Sequence, residues 1–193
     1  MNARLLHRAM PDSRLKRPGT FPFRSLALAA LLVFGVAGSA SARSPETDAR
    51  AGIAAFTRHC FSPRMSAARA HEVFNLANVR HDFYDLDPLT NAAPSPATKR
   101  AATPGTDRRC EVSFQGDYTI PAAKAVTARL QREGITSPAQ LPASHTRLRT
   151  KGTALLAARR LNPRKIAVVH VGTRPAKGGI ETFLNVERLR LPN

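Results

Sequence analysis

The sequence predicts an α+β fold in which N-terminal helices pack on one face of a C-terminal antiparallel sheet, with one disulfide. Apolar residues recur at helical spacing early in the chain and at strand spacing toward its C-terminus. The two cysteines of the chain each lie on an apolar face, one on a helix and one on a strand. Helices followed by a run of strands are typical of α+β domains.

The first 42 residues have the three parts of a secretory signal peptide: a basic segment, an apolar core and a site of small residues. We expect cleavage between Ala42 and Arg43, which leaves residues 43–193 as one small α+β domain in the periplasm or medium. The alternative is an uncleaved N-terminal membrane anchor, but the apolar run is shorter than the roughly 20 residues that a spanning helix needs. No membrane span is predicted after cleavage.

Two helices are predicted next. Ser44 and Pro45 form a typical helix start, and Ile53, Phe56 and Cys60 follow at spacings of three and four. Residues 62–78 repeat this pattern, so a second helix is expected to begin at residues 62–63.

Residues 88–107 contain four prolines and no large apolar residue after Leu89, which predicts a mobile loop. The alternation around Cys110 then predicts a half-buried strand, with Val112 and Phe114 on the same side as the cysteine. A third helix follows, with Thr119 as its cap and Gly134 at its C-terminal end.

The C-terminal part is predicted to be antiparallel sheet. "KIAVVHVG" is apolar on both faces, as in a central strand, and "IETFLNVERL" follows a long basic hairpin loop, "TRPAKGG". "TALLAARRL" has a helical composition, but the turn signal at residues 162–163 favours a strand.

Export and the two apolar faces together predict a disulfide between Cys60 and Cys110. A catalytic pair of Cys60 with His59 is disfavoured because adjacent helical residues do not face each other. A zinc site formed by these cysteines with His59 and His71 lacks any paired-ligand spacing.

Other candidate sites are weaker. Asp82, Asp85 and Asp87 do not have the spacing of a calcium loop, so a solvated turn is expected. "GTRPAKGG" lacks the order of residues in a phosphate-binding loop, and His170 on an apolar strand is expected to be a core residue. We predict no catalytic residue, metal site or cofactor.

The net charge is +17 for the whole chain. Six basic residues and one acid precede Arg43, so 24 basic and 12 acidic residues remain, a net charge of +12. Export argues against nucleic acid as a partner, and an anionic envelope surface or an envelope protein is expected instead. Arg174 and Lys177, supported by Arg147, Arg149 and Lys151, are the predicted polyanion-binding residues.

Phe56 and Cys60 on a helix, an Ala-rich second helix, the Cys110 and Val112 strand and an Ala-rich third helix resemble a group of small exported proteobacterial proteins of unknown function. The resemblance covers Phe56 to about Gly134. It implies a paired-cysteine α+β domain and no activity or substrate.

Two functions therefore stay open. The first is a non-catalytic envelope or periplasmic protein that binds an anionic surface or another protein. The alternative is a small periplasmic hydrolase whose active site carries no recognisable motif.

Overall fold

Helices precede most of the strands along the chain. The computed structural model describes residues 44–86 and 105–191, all within the unit that spans residues 41–193. The helices are α1 (Pro45–His59), α2 (Ala67–Leu76), α3 (Thr119–Arg132) and α4 (Ala143–Thr146). The strands are β1 (Arg80–Asp85), β2 (Thr106–Gln115), β3 (Pro138–Ala139), β4 (Thr153–Asn162), β5 (Lys165–Ala176) and β6 (Gly179–Arg190).

The six strands form one sheet in the order β1-β2-β6-β5-β4-β3, and every neighbouring pair is antiparallel. The long strands β5 and β6 lie at its centre. The predicted α+β class is confirmed, and so is the strand assignment of "TALLAARRL", which is β4.

The main core lies between the helices and one face of this sheet. Phe56 of α1, Phe74 of α2 and Val126 of α3 are fully buried there against Val112 and Leu184 of the sheet. A smaller apolar cluster lies around Ile166, Val168 and Leu189. In the described ranges, no helix is both long and apolar enough to cross a membrane.

Two predicted helix starts are wrong. Helix α2 begins at Ala67 because the Ser66 hydroxyl accepts the Arg69 N–H, whereas the residues before it form turns. Thr119 is the first residue of α3 and not its cap, since the Asp117 carboxylate accepts both its N–H and its hydroxyl. The predicted end of α3 is confirmed, because Gly134 has a φ of +68° and the next N–H returns to the Leu130 carbonyl.

Two expectations about loops are also wrong. The predicted solvated turn at Asp82 and Asp85 is strand β1; residue 87 lies outside the described residues. Strand β5 continues to Ala176 and β6 begins at Gly179, so the predicted long hairpin loop is a tight turn at residues 177–178. Hydrogen bonds between β5 and β6 continue through most of "TRPAKGG", so only two residues of this segment form the turn.

Strand β2 is longer and more buried than predicted. It begins at Thr106, so the last two residues of the predicted mobile loop belong to the sheet, while residues 88–104 lie outside the described residues. Arg109, Glu111 and Ser113 point away from the main core, yet they are buried too. The strand is therefore buried on both sides.

Candidate functional site

The predicted disulfide is present. Cys60 and Cys110 are joined with a Cα–Cα distance of 5.6 Å, and both are buried in the main core. No free cysteine occurs in the described part of the chain, so no thiol there is available to act with His59. Burial lowers the pKa of His59, with a smaller contribution from the positive charge of Arg69.

The predicted cleavage site, Ala42 and Arg43, lies outside the described residues. Signal cleavage therefore stays a prediction.

The residues considered for metal binding lie apart or are engaged elsewhere. Asp82 binds Arg109 at 2.8 Å and Asp85 binds Arg108 at 2.8 Å, both across strands β1 and β2. Across residues 44–86 and 105–191, no group of three or more His, Cys, Asp or Glu is arranged to hold a metal ion.

His170 is a core residue, as predicted. Its Nε2 lies 3.1 Å from the Thr153 hydroxyl, and its ring packs edge-on against Phe183. These contacts satisfy a side chain that is 6% exposed.

Arg174 is held in an ionic network. Its Nε donates to Glu181 at 2.6 Å, its Nη1 donates to Glu111 at 2.7 Å, and its guanidinium lies over the Phe183 ring. Arg80 also pairs with Glu181. Two arginines therefore balance two buried carboxylates, and Arg174 has less capacity for an external anion than the sequence suggests.

Lys177 is different, because it is exposed in the tight turn between β5 and β6. The loop after α4 reaches the same end of the sheet, where the Gly152 carbonyl accepts the Thr173 N–H at 2.9 Å. That loop carries three more exposed cations, Arg147, Arg149 and Lys151. We call these four residues the basic rim: Arg147, Arg149, Lys151 and Lys177.

The side chains of the basic rim make no ion pair with another described residue. Asp117 is an exposed acid at the same end, and hydrogen bonds from Thr119 lower its pKa, so it stays charged and offsets one of the four cations. The rim thus keeps a positive charge of about three, whereas the charges of Arg80 and Arg174 are balanced by the buried carboxylates of Glu111 and Glu181.

Large apolar side chains are also exposed at this end. Ile120 in the first turn of α3 is 80% exposed, Ile180 is 48% exposed and Leu148 within the rim loop is 38% exposed. The start of α3 belongs to this end because the Gly116 N–H donates to the Ile180 carbonyl. Exposed cations interleaved with exposed apolar side chains are typical of a surface that docks on a membrane.

At the opposite end of the sheet, the cations are partly neutralised. Asp107 accepts Arg188 at 2.5 Å and Lys165 at 3.0 Å. Burial would raise the pKa of Asp107, but hydrogen bonds and charges from these two residues outweigh it, and its pKa is lowered. Arg108 and Arg188 also line an apolar cavity of about 200 Å³ beside the disulfide, so both are occupied by structural contacts.

One arrangement was missed in the sequence. His145 of α4 is buried, its Nε2 lies 3.0 Å from Glu187 Oε2, and its Nδ1 lies 3.0 Å from the Ser144 hydroxyl. The Ser-His dipeptide is visible in "ASHT", but Glu187 lies 42 residues further along the chain. A local motif search could not have found the third group.

Searches against protein-family models, curated proteins and solved structures found no match to this chain. The resemblance to small exported proteobacterial proteins therefore stays a prediction.

Proposed function

We propose that this chain is an exported protein that binds anionic lipid surfaces through the basic rim. The observation that carries the proposal is the clustering, at one end of the sheet, of three exposed apolar side chains with four exposed cations that make no ion pair with another described residue. The disulfide supports an oxidising location, and the sequence supports export through a signal peptide.

The electrostatic part of this binding can be estimated. Each Lys or Arg near an anionic membrane surface contributes about 1 kcal/mol. Three rim cations therefore contribute about 3 kcal/mol, which corresponds to roughly 100-fold in affinity at low salt. Added salt weakens the attraction because the screening length falls from about 10 Å at 0.1 M to about 3 Å at 1 M.

The apolar side chains favour a membrane over a soluble polyanion. Ile120 and Ile180 project into solvent, where their exposure is unfavourable. Insertion of such side chains at the boundary between headgroups and acyl chains recovers part of that free energy, whereas a polysaccharide offers no apolar phase.

The test is sedimentation of the oxidised protein with vesicles of phosphatidylglycerol and phosphatidylcholine, compared with phosphatidylcholine alone. Binding is expected only to the anionic vesicles, and to be lost in 1 M salt. The triple variant R147Q/R149Q/K151Q should bind about 100-fold more weakly at low salt.

The matched control is R58Q/R64Q/R132Q, which removes the same charge from exposed positions near the other end of the sheet. Equal losses for the two triple variants would show a net-charge effect and overturn the proposed surface. The variant I120S/I180S should bind vesicles more weakly but leave heparin binding unchanged. A parallel loss of heparin binding would contradict the role given to the apolar side chains.

A further inference from the structure

We propose that Ser144 is a nucleophile for acyl transfer, with His145 as its general base and Glu187 as the residue that positions the base. These three residues would form the active site of the small periplasmic hydrolase that the sequence leaves open as an alternative function. The site lies on α4, directly before the basic rim, because Arg147 is the C-terminal cap of that helix. None of its three residues belongs to the rim, and neither proposal rests on the other.

The three side chains form a continuous hydrogen-bonded chain. Ser144 Oγ lies 3.0 Å from His145 Nδ1, and His145 Nε2 lies 3.0 Å from Glu187 Oε2. A nucleophile bonded to a base, and a base bonded to an acid that orients it, are the contacts that acyl transfer by serine requires.

The partners of Glu187 fix the tautomer of His145. The Thr106 hydroxyl donates to Glu187 Oε2 at 3.1 Å, and the Asn185 amide donates to Oε1 at 3.3 Å. A carboxylate that accepts these donors also accepts the Nε2–H of the imidazole. Nδ1 is then unprotonated and accepts the Ser144 hydroxyl, as a general base must.

The serine opens onto a cavity, whereas its partners are buried. His145 and Glu187 are each 1% exposed, but Ser144 is partly exposed and lines a cavity of about 340 Å³. The apolar lining includes Leu141, Ile166 and Leu189, so the cavity suits a short apolar acyl group. Arg190 lines the same cavity; its Nε lies 3.5 Å from Asp107 Oδ2, and its half-exposed guanidinium keeps N–H donors for the oxygen of the substrate carbonyl.

An ester would be hydrolysed at this site in two stages, through an acyl-serine on Ser144. Ser144 Oγ bonds to the carbonyl carbon as its proton passes to His145 Nδ1, and the imidazolium is stabilised by Glu187. The bond from carbon to the leaving oxygen then breaks, and His145 returns the proton to that oxygen. Water repeats the sequence on the acyl-serine and releases the carboxylic acid.

The test is labelling of the folded, oxidised full chain with a fluorophosphonate, followed by peptide mass mapping. An adduct is expected on Ser144, absent in S144A and retained in S137A, a matched exposed serine. Turnover of p-nitrophenyl butyrate should fall at least about 100-fold in S144A and stay unchanged in S137A.

The proposal is overturned by the absence of an adduct on folded wild-type protein, by an adduct elsewhere, or by equal turnover in S144A. The positioning role is tested separately with E187Q, checked for folding by circular dichroism. Because Glu187 does not touch substrate, E187Q should lower kcat and leave KM unchanged. A purely structural role would leave kcat of the folded fraction unaltered.

Discussion

Replacement of Arg109 tests whether the face of the sheet away from the main core is held together by paired charges. The Arg109 side chain is fully buried, and its Nη2 donates to Asp82 Oδ2 at 2.8 Å. At this separation the Coulomb attraction is about 6 kcal/mol for an effective dielectric constant of 20, against which the cost of desolvation must be set. Arg109→Met leaves Asp82 largely buried without this partner, so we expect a loss of about 3–5 kcal/mol in the free energy of unfolding.

The assay is urea denaturation followed by circular dichroism, with the disulfide intact. Arg50→Met is the matched control, because Arg50 and Glu46 form a pair whose side chains are 80% and 61% exposed. Its removal should cost less than about 1 kcal/mol. The double variant D82N/R109M should lose less free energy of unfolding than the single variants D82N and R109M lose in sum, by at least about 1.5 kcal/mol. Equal costs for Arg109→Met and Arg50→Met, or simple additivity in the double variant, would refute the reasoning.

Three further predictions concern the disulfide, acid stability and export. Reduction of the bond between Cys60 and Cys110 opens a loop with a sequence separation of 50. The free energy of unfolding should therefore fall by about 4 kcal/mol on the chain-entropy model. An unchanged denaturation midpoint, or two free thiols in protein isolated without reductant, would contradict this. The pKa of Asp107 is lowered from its ordinary value of 3.8, so its charged form stabilises the fold fully at pH values above 3.8. This stabilisation is lost as the pH falls through the lower pKa of the folded state. The stability difference between wild type and D107N should accordingly be largest near neutral pH and shrink below about pH 4, and a difference that grows in acid would have the wrong sign. N-terminal sequencing of protein recovered from the periplasm or medium should begin at Arg43, whereas an intact upstream segment in a membrane pellet would argue for the uncleaved anchor.

The features that sequence patterns predicted are those set by local periodicity. Helix α1, strand β5 and the disulfide follow from apolar spacing and from the faces on which Cys60 and Cys110 lie. Strand β1 was missed because its buried Asp82 is stabilised by Arg109, a partner 27 residues away. A window of neighbouring residues cannot show that a buried charge will be compensated.

The same limit applies to both candidate sites. The sequence named the rim cations, but it also named Arg174, whose partners Glu111 and Glu181 come from other strands. It could not join His145 to Glu187, because the register of the sheet and the position of α4 bring them together. The sequence shows which residues carry charge, whereas the ion pairs and hydrogen bonds between side chains of different elements depend on the tertiary fold.

Mapping the lipid-contacting residues tests the proposed membrane surface most directly. Backbone amide shifts of the oxidised, isotope-labelled protein would be recorded during titration with a short-chain phosphatidylglycerol. We predict the largest changes at residues 147–152 and 177–180 and in the first turn of α3, and their disappearance in 1 M salt. Changes centred on the turn at residues 163–164, or spread evenly over the exposed cations, would contradict the proposal that the basic rim is the binding surface.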